Sequence, residues 1–335
     1  YIRNFPTADE RARKGGNGGY YHISYWGRPH DYLWLGTVHP SLVYQQMSLA
    51  CERGIQKMWI LNVGDIKPAE YQVELFLDMA WNLEAVKQQG VAAHQRHFLE
   101  REFGKNRADR LQPVMQEAYR LAYIRKPEFM GNTRTEEKDP KFKVISDLPW
   151  SEQEINERLA AYRQLSDKVE QEWHALPAQK KETYFQLVKY PVQAAAQMNN
   201  KLLTAQLARH GKAEWADSDR AYDCIVSLTK TYNTTKWNRM MDFQPRRLLV
   251  FNRVERKALS SGLLEKPQAV YTWNGADCVE GASVICEGLG YEGKAVAVEK
   301  KKELTYEFAA WETDTVEEEV RFMHNHPVEG DLLRF

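Results

Sequence analysis

The stretch Trp59–Tyr71, WILNVGDIKPAEY, decides how the chain is read. Trp59, Ile60, Leu61 and Val63 are large and apolar, which predicts a buried strand. The chain then turns polar at once, with Asn62, Asp65, Lys67 and Glu70 gathered around Gly64 and Pro68. Gly64 permits a tight turn and Pro68 stiffens it. An amphipathic run follows, AEYQVELFLDMAWN, with Val73, Phe76, Leu77 and Ala80 on one stripe of a predicted helix. In parallel α/β folds, ligands meet the carboxyl ends of the strands. Carboxylates, an ammonium and an amide at that end therefore read as an active-site loop. The alternative is that Asp65 and Glu70 cap the next helix while Lys67 is solvated.

Upstream, the pattern repeats. GYYHISYW, Gly19–Trp26, reads as a strand, and HPSLVYQQMSLACERG, His39–Gly54, as a helix that opens at Pro40 and closes at Gly54. Strand, helix, strand, helix is the signature of a parallel sheet or barrel. From Leu83 the periodicity becomes that of long helices: Arg110–Ile124, Ser151–Leu176, Lys180–Arg209 and Ser218–Tyr232. Ser151 and Glu154 form a predicted capping box. This region reads as a helical bundle. After Asn238 the runs RLLVFNRV, QAVYTW, ASVICEGLGY, KAVAVEKKKELTYEFAAW and TVEEEVRFMHNH alternate in short pieces. They predict an antiparallel β-sandwich.

Composition narrows the function. The 335 residues suffice for two or three domains. Lys+Arg and Asp+Glu are both 46, so no global charge favours nucleic acid or an anionic membrane. Ten Trp and seventeen Tyr supply stacking surfaces for sugars or bases, or simply core and interface bulk. The four cysteines, Cys51, Cys224, Cys278 and Cys286, contain no CxxC pair. They read as free thiols, with only Cys278 and Cys286 close enough for a local bridge. No apolar run is long enough to span a membrane, and no signal peptide is present. The first residue is not Met, and both ends read as cut from something longer.

A second polar cluster, YYHISYWGRPHDYLWLGTVHP, holds His22, Tyr25, Arg28, His30, Asp31, Tyr32 and His39. His22, His30 and His39 offer a metal site by residue type, but none has the i, i+4 spacing of a helical metal pair, so no metal is expected. GGNGG at Gly15–Gly19 precedes a strand instead of opening a helix, which argues against nucleotide binding. HNH at His324–His326 reads as a strand edge. No cofactor is expected.

YYHISYWGRPHDYLWL, MWILNVGDIKPAEYQVELFLDMAWN, YNTTKWNRMMDFQPR and HPVEGDLLRF together resemble glycoside hydrolase family 115, the xylan α-1,2-glucuronidases. The resemblance runs along the whole chain. It implies the C-terminal part of a TIM-like (β/α)8 barrel at residues 1–82, a helical bundle at 83–238, and the start of a β-sandwich at 239–335. It also implies removal of α-1,2-linked (4-O-methyl-)glucuronic acid from xylan, with inversion by an acid and a base carboxyl. Asp65 and Glu70 are the expected candidates for the base or for a residue that orients it, with Asp31 behind them. The acid is expected upstream of Tyr1. Lys67 and Arg28 would receive the uronate carboxylate. Asn62, His22, Tyr25, Tyr32 and His39 would bind hydroxyls or line the pocket. The implied partner is a glucuronoxylan oligosaccharide, with no nucleic acid and no membrane span, and a homodimer is left open. A secreted or periplasmic location follows from the resemblance. The competing readings are a carbohydrate-binding or scaffold protein that retains the barrel motifs, and an unrelated α/β hydrolase or transferase with a helical insert.

Overall fold

The computed structural model describes residues 2, 5–25, 32–131 and 145–256, and the strand segments 282–286, 298–301, 305–308 and 320–324. The chain divides into two compact units, Tyr1–Leu148 with Arg158–Ser260, and Pro149–Glu157 with Ser261–Phe335.

In the first unit, a short helix α1 (Ala8–Arg11) leads to β1 (Asn17–His22), α2 (Pro40–Glu52), β2 (Ile55–Asn62) and α3 (Glu70–Trp81). β1 and β2 pair in parallel, and His22 lies opposite Asn62 at their carboxyl ends. This is the predicted strand–helix–strand order. The strand predicted over Gly19–Trp26 is shorter and starts earlier. α2 buries Leu42, Val43, Met47 and Ala50. Tyr21 stacks on Phe76 at 6.3 Å between ring centroids, which fixes α3 against β1. The opposite face of this sheet exposes Tyr20, Met58 and Ile60. Among the described residues the parallel sheet has two strands.

The remainder of this unit is helical: α4 (Leu83–Gln89), α5 (Val91–Phe103), α6 (Lys105–Ile124), α7 (Glu152–His174, whose first turns belong to the other unit), α8 (Ala178–Tyr184), α9 (Tyr190–Arg209) and α10 (Trp215–Asn233). α9 is buried nearly all round, including Asn199, Lys201 and Leu203, as expected of a helix at the centre of a bundle. The single helix expected over Lys180–Arg209 is interrupted by a π-helical turn at Phe185–Lys189. Pro191 explains it. Proline has no N–H to give to the carbonyl four residues back, and its ring crowds that carbonyl. The chain widens before it, and the Tyr190 N–H reaches the Phe185 carbonyl instead. Phe185, Tyr190 and Tyr232 form an aromatic cluster around this turn, with Tyr190 and Tyr232 centred 4.9 Å apart.

RLLVFNRV differs from its sequence reading. It forms 3-10 turns at Pro245–Arg247 and Leu249–Phe251, not a strand. Val250 and Phe251 are buried, and the Val250 carbonyl accepts a hydrogen bond from Lys201 Nζ instead of a strand neighbour. A short apolar run reads the same in either conformation, and here tertiary contacts decide.

In the second unit, the capping box at the start of α7 forms as predicted. Glu154 Oε2 accepts from the Ser151 N–H at 2.7 Å, and Ser151 Oγ accepts from the Glu154 N–H at 3.2 Å. β3 (Ala282–Cys286) pairs antiparallel with β6 (Val320–His324), and β4 (Val298–Lys301) with β5 (Thr305–Phe308). These lie in runs predicted to alternate. QAVYTW and Cys278 lie outside the described residues. No described helix is long and apolar enough to cross a membrane.

Candidate functional site

β2 ends at Asn62, and its side chain starts the turn that follows. Asn62 Oδ1 accepts from the Gly64 N–H at 3.0 Å, while Nδ2 donates to the Tyr20 hydroxyl at 2.8 Å. Such a side-chain turn substitutes for a backbone one. Gly64 has φ 64°, a conformation that L side chains rarely adopt. The chain therefore leaves the sheet abruptly and presents Asp65 to solvent. No described residue hydrogen-bonds Asp65, so its carboxylate stands open at the strand end. His22, opposite Asn62, packs edge-on against Tyr25 at 5.2 Å and Tyr20 at 5.0 Å. Asn62, His22 and Tyr25 are thus gathered at one end of the sheet, and the loop bearing Asp65 leaves from that end.

Lys67 and Glu70 are placed differently. Lys67 is buried, and its ammonium is ion-paired with Glu70. It also donates to Gln186 Oε1 at 3.0 Å and lies 4.6 Å from the centre of the Trp237 ring. Neither the solvated lysine of the structural alternative nor a free substrate-facing ammonium describes it. Glu70 is the first residue of α3, where a carboxylate favours the positive end of the helix dipole. Burial raises its carboxyl above the usual value, opposed by the hydrogen bond and charge of Lys67.

Behind this pair, Gly36, Pro68, Glu70 and Tyr119 line a pocket of about 40 Å³. Ligand sites for small molecules run to about 300–1,000 Å³, so this pocket admits water and not a sugar. Gln72 closes the same region. Its amide donates to the carbonyls of Gly36 at 2.6 Å and Val38 at 3.3 Å, and to the Tyr119 hydroxyl at 3.2 Å. α3, the segment after β1 and α6 are therefore tied through one amide.

His39 is not at a pocket surface. It is buried, it precedes α2 as its N-cap, and its Nδ1 accepts from the Ser41 N–H at 3.1 Å. Burial pushes its pKa well below the usual histidine value, which keeps the ring neutral as the cap requires. Tyr32 has φ 56° and lies under the Lys126 ammonium at 5.2 Å. Arg28 and Asp31 lie outside the described residues. Among the described residues no group of His, Cys, Asp and Glu is arranged to hold a metal. The sequence reading missed Gln72, Gln186 and Glu128, which accepts from the Leu33 N–H at 3.0 Å while buried. Pro191 marks the π turn that carries Gln186, but periodicity alone gives no sign that Gln186 meets Lys67.

Residues 1–129 match the family described as Glycosyl hydrolase family 115. A solved structure described as a novel family GH115 4-O-methyl-α-glucuronidase, BtGH115A, with specificity for decorated arabinogalactans, is 63% identical, with a TM-score of 0.80. The match covers 90% of this chain and 40% of that one, so the chain spans about two fifths of that relative's length. No curated protein matches the chain.

Proposed function

Since the chain belongs to glycoside hydrolase family 115, we propose that it contributes to an α-glucuronidase that removes (4-O-methyl-)glucuronic acid from a plant polysaccharide. The observation that carries this reading is the open Asp65 carboxylate at the carboxyl end of β2, on a chain 63% identical to such an enzyme. Asp65 acts as the general base, or orients it, on one side of the scissile bond. In an inverting enzyme the two carboxyl groups stand roughly 6.5–9.5 Å apart, leaving room for the attacking water. Glu70 and Asp65 do not form that pair. Glu70 is held by Lys67, and its role is to fix the loop that presents Asp65. Asp31 is the remaining acidic candidate of this chain. His22, Tyr25 and Asn62 meet sugar hydroxyls, and Arg28 receives the uronate, for which a planar guanidinium is suited. His39 supports this surface from behind as a helix cap.

The exposed Tyr20, Met58 and Ile60 face supports a sheet that continues into a TIM-like barrel, since parallel sheets are covered on both faces. On that reading residues 1–82 belong to the barrel, 83–238 to a helical domain and 239–335 to a β-sandwich. Action on polysaccharide outside the cell implies a secreted or periplasmic protein.

Two backbones are in view. The motifs resemble those of xylan α-1,2-glucuronidases, whereas BtGH115A is described as specific for decorated arabinogalactans. The identity to that relative favours the second. The experiment offers glucuronoxylan and a glucuronidated arabinogalactan to the complete enzyme, wild type and Asp65→Asn, and follows released uronate by proton NMR. Release of the β-anomer first by the wild type, and loss of at least a hundredfold in Asp65→Asn, is expected. A wild type that binds both polymers and releases uronate from neither would leave the carbohydrate-binding alternative.

A further inference from the structure

A larger cleft opens on the helical face of the first unit. Asp78, Trp81, Asn82, Gln89, His97 and Arg101 are among the residues lining its volume of about 490 Å³. That size falls within the about 300–1,000 Å³ typical of small-molecule sites. Lys67, Glu70, Gln186 and Trp237 do not line it. Trp81, the last residue of α3, is 91% exposed. An indole this open gains nothing from the core, because burial is what stabilises a large aromatic side chain.

The polar groups around it have a common property. Each uses one atom within the protein and keeps another for a ligand. Asn82 Oδ1 accepts from the Ala85 N–H at 3.0 Å, which leaves its Nδ2 hydrogens. Gln89 Nε2 and His97 Nδ1 share a hydrogen bond at 2.6 Å, which leaves Gln89 Oε1 and His97 Nε2. Asp78 Oδ2 pairs with His94 Nε2 at 3.0 Å, which leaves Oδ1 on a half-exposed carboxylate. The guanidinium, by contrast, is closed. Arg101 binds Glu74 through two nitrogens at 2.8 and 2.6 Å. A cleft with no open cation does not select a uronate.

We propose that this cleft binds a neutral pyranose oligosaccharide, with one sugar ring stacked on the Trp81 indole. The axial C–H groups of a pyranose carry slight positive charge and meet the negative face of the ring. Its equatorial hydroxyls, each both donor and acceptor, match the mixed amide, imidazole and carboxylate rim. The cleft would hold the undecorated backbone of a polysaccharide. The choice of ligand rests on the polysaccharide reading above, but the site needs no catalytic residue.

Calorimetric titration of the complete protein with xylohexaose and with a β-1,3-galactan hexasaccharide tests this. Both are undecorated, so binding is read without hydrolysis, and an inactive Asp65→Asn protein should bind as well as the wild type. Which of the two binds identifies the backbone. Trp81→Ala should weaken that binding at least tenfold, and Trp81→Phe should recover part of it. Both variants should keep the wild-type melting temperature and unchanged turnover of an aryl α-glucuronide. Leu77, one turn before Trp81, is also exposed, so light scattering is measured alongside. The proposal is overturned if neither oligosaccharide binds, if Trp81→Ala binds as the wild type does, or if that variant lowers the molar mass, since the face would then be covered by protein.

Discussion

The Lys67 ammonium donates to Gln186 Oε1 at 3.0 Å across 119 residues of sequence, and so fastens the loop after β2 to the π turn before α9. Trp237 completes the enclosure. The loop that leads from the sheet to Asp65 is anchored two residues further on, at Lys67, by contacts with the helical region. This arrangement alters what a substitution at Lys67 should do. A substrate-facing lysine would leave stability nearly unchanged when removed. A buried, paired one leaves the Glu70 carboxylate without compensation, which typically costs about 3–5 kcal/mol.

Lys67→Met should therefore lower the unfolding free energy by about that amount. Lys67→Met combined with Glu70→Gln should recover much of the loss, because no charge is then stranded. Denaturant unfolding of the two single variants, the double variant and the wild type closes the cycle. Additive effects would mean that the two side chains do not act as a pair.

Gln186→Leu keeps the ion pair and removes its tie to the π turn, together with the Gln186 Nε2 donation to Glu182 Oε1 at 3.2 Å. A hydrogen bond to a charged group contributes about 1.5–3 kcal/mol. The loss in stability should lie there, below that of Lys67→Met. If the tie positions Asp65, kcat should fall while KM for a small substrate stays close to that of the wild type. A fall in stability with unchanged kcat would make Gln186 purely structural.

Part of this was legible in the sequence. The β1–α2–β2 order follows from two aromatic and β-branched runs flanking a helix with Pro40 at its start. The Ser151 and Glu154 capping box is a local signal, and it forms. His39 illustrates a local signal read for the wrong purpose. Standing before Pro40 and Ser41, it occupies a cap position, yet by residue type an imidazole reads equally as a sugar or metal ligand. Lys67 could not be read correctly at all. Its burial depends on Gln186 and Trp237, and no spacing within WILNVGDIKPAEY indicates either. The same holds for RLLVFNRV, whose turns are set by Lys201 from the middle of α9.

Gly36→Ala tests the packing behind the loop. A β-carbon there would lie 2.5 Å from the Pro68 carbonyl oxygen and 3.2 Å from Gln72 Oε1. The first neighbour is backbone and cannot rotate away. Overpacking of this kind costs about 1–3 kcal/mol. Pro68 belongs to the Asp65 loop, so both the melting temperature and the turnover should fall. A crystal structure of the variant with Pro68 unmoved would refute the account.

Lys201 offers a prediction in pH. It is fully buried in α9, and Nζ donates to the carbonyls of Val250 at 2.5 Å and Asn252 at 2.9 Å. Removal from water lowers its pKa from the usual 10.5 to about 7. The unfolded chain binds this proton more tightly than the folded one between those two values. Stability therefore rises with pH across that window, by at most about 1.4 kcal/mol per pH unit. Lys201→Met removes the proton altogether. It also strands the buried Val250 carbonyl, at about 1–3 kcal/mol, and the half-buried Asn252 carbonyl, so the variant should be less stable throughout. The test is the gap between the two proteins, not its absolute size. Unfolding free energies measured from pH 7 to 9 should show the wild type drawing further ahead as pH rises. Parallel curves would mean that the two carbonyls hold the ammonium charged well above neutrality, and that Lys201 sets the position of the Leu249–Phe251 turn without contributing to the pH dependence.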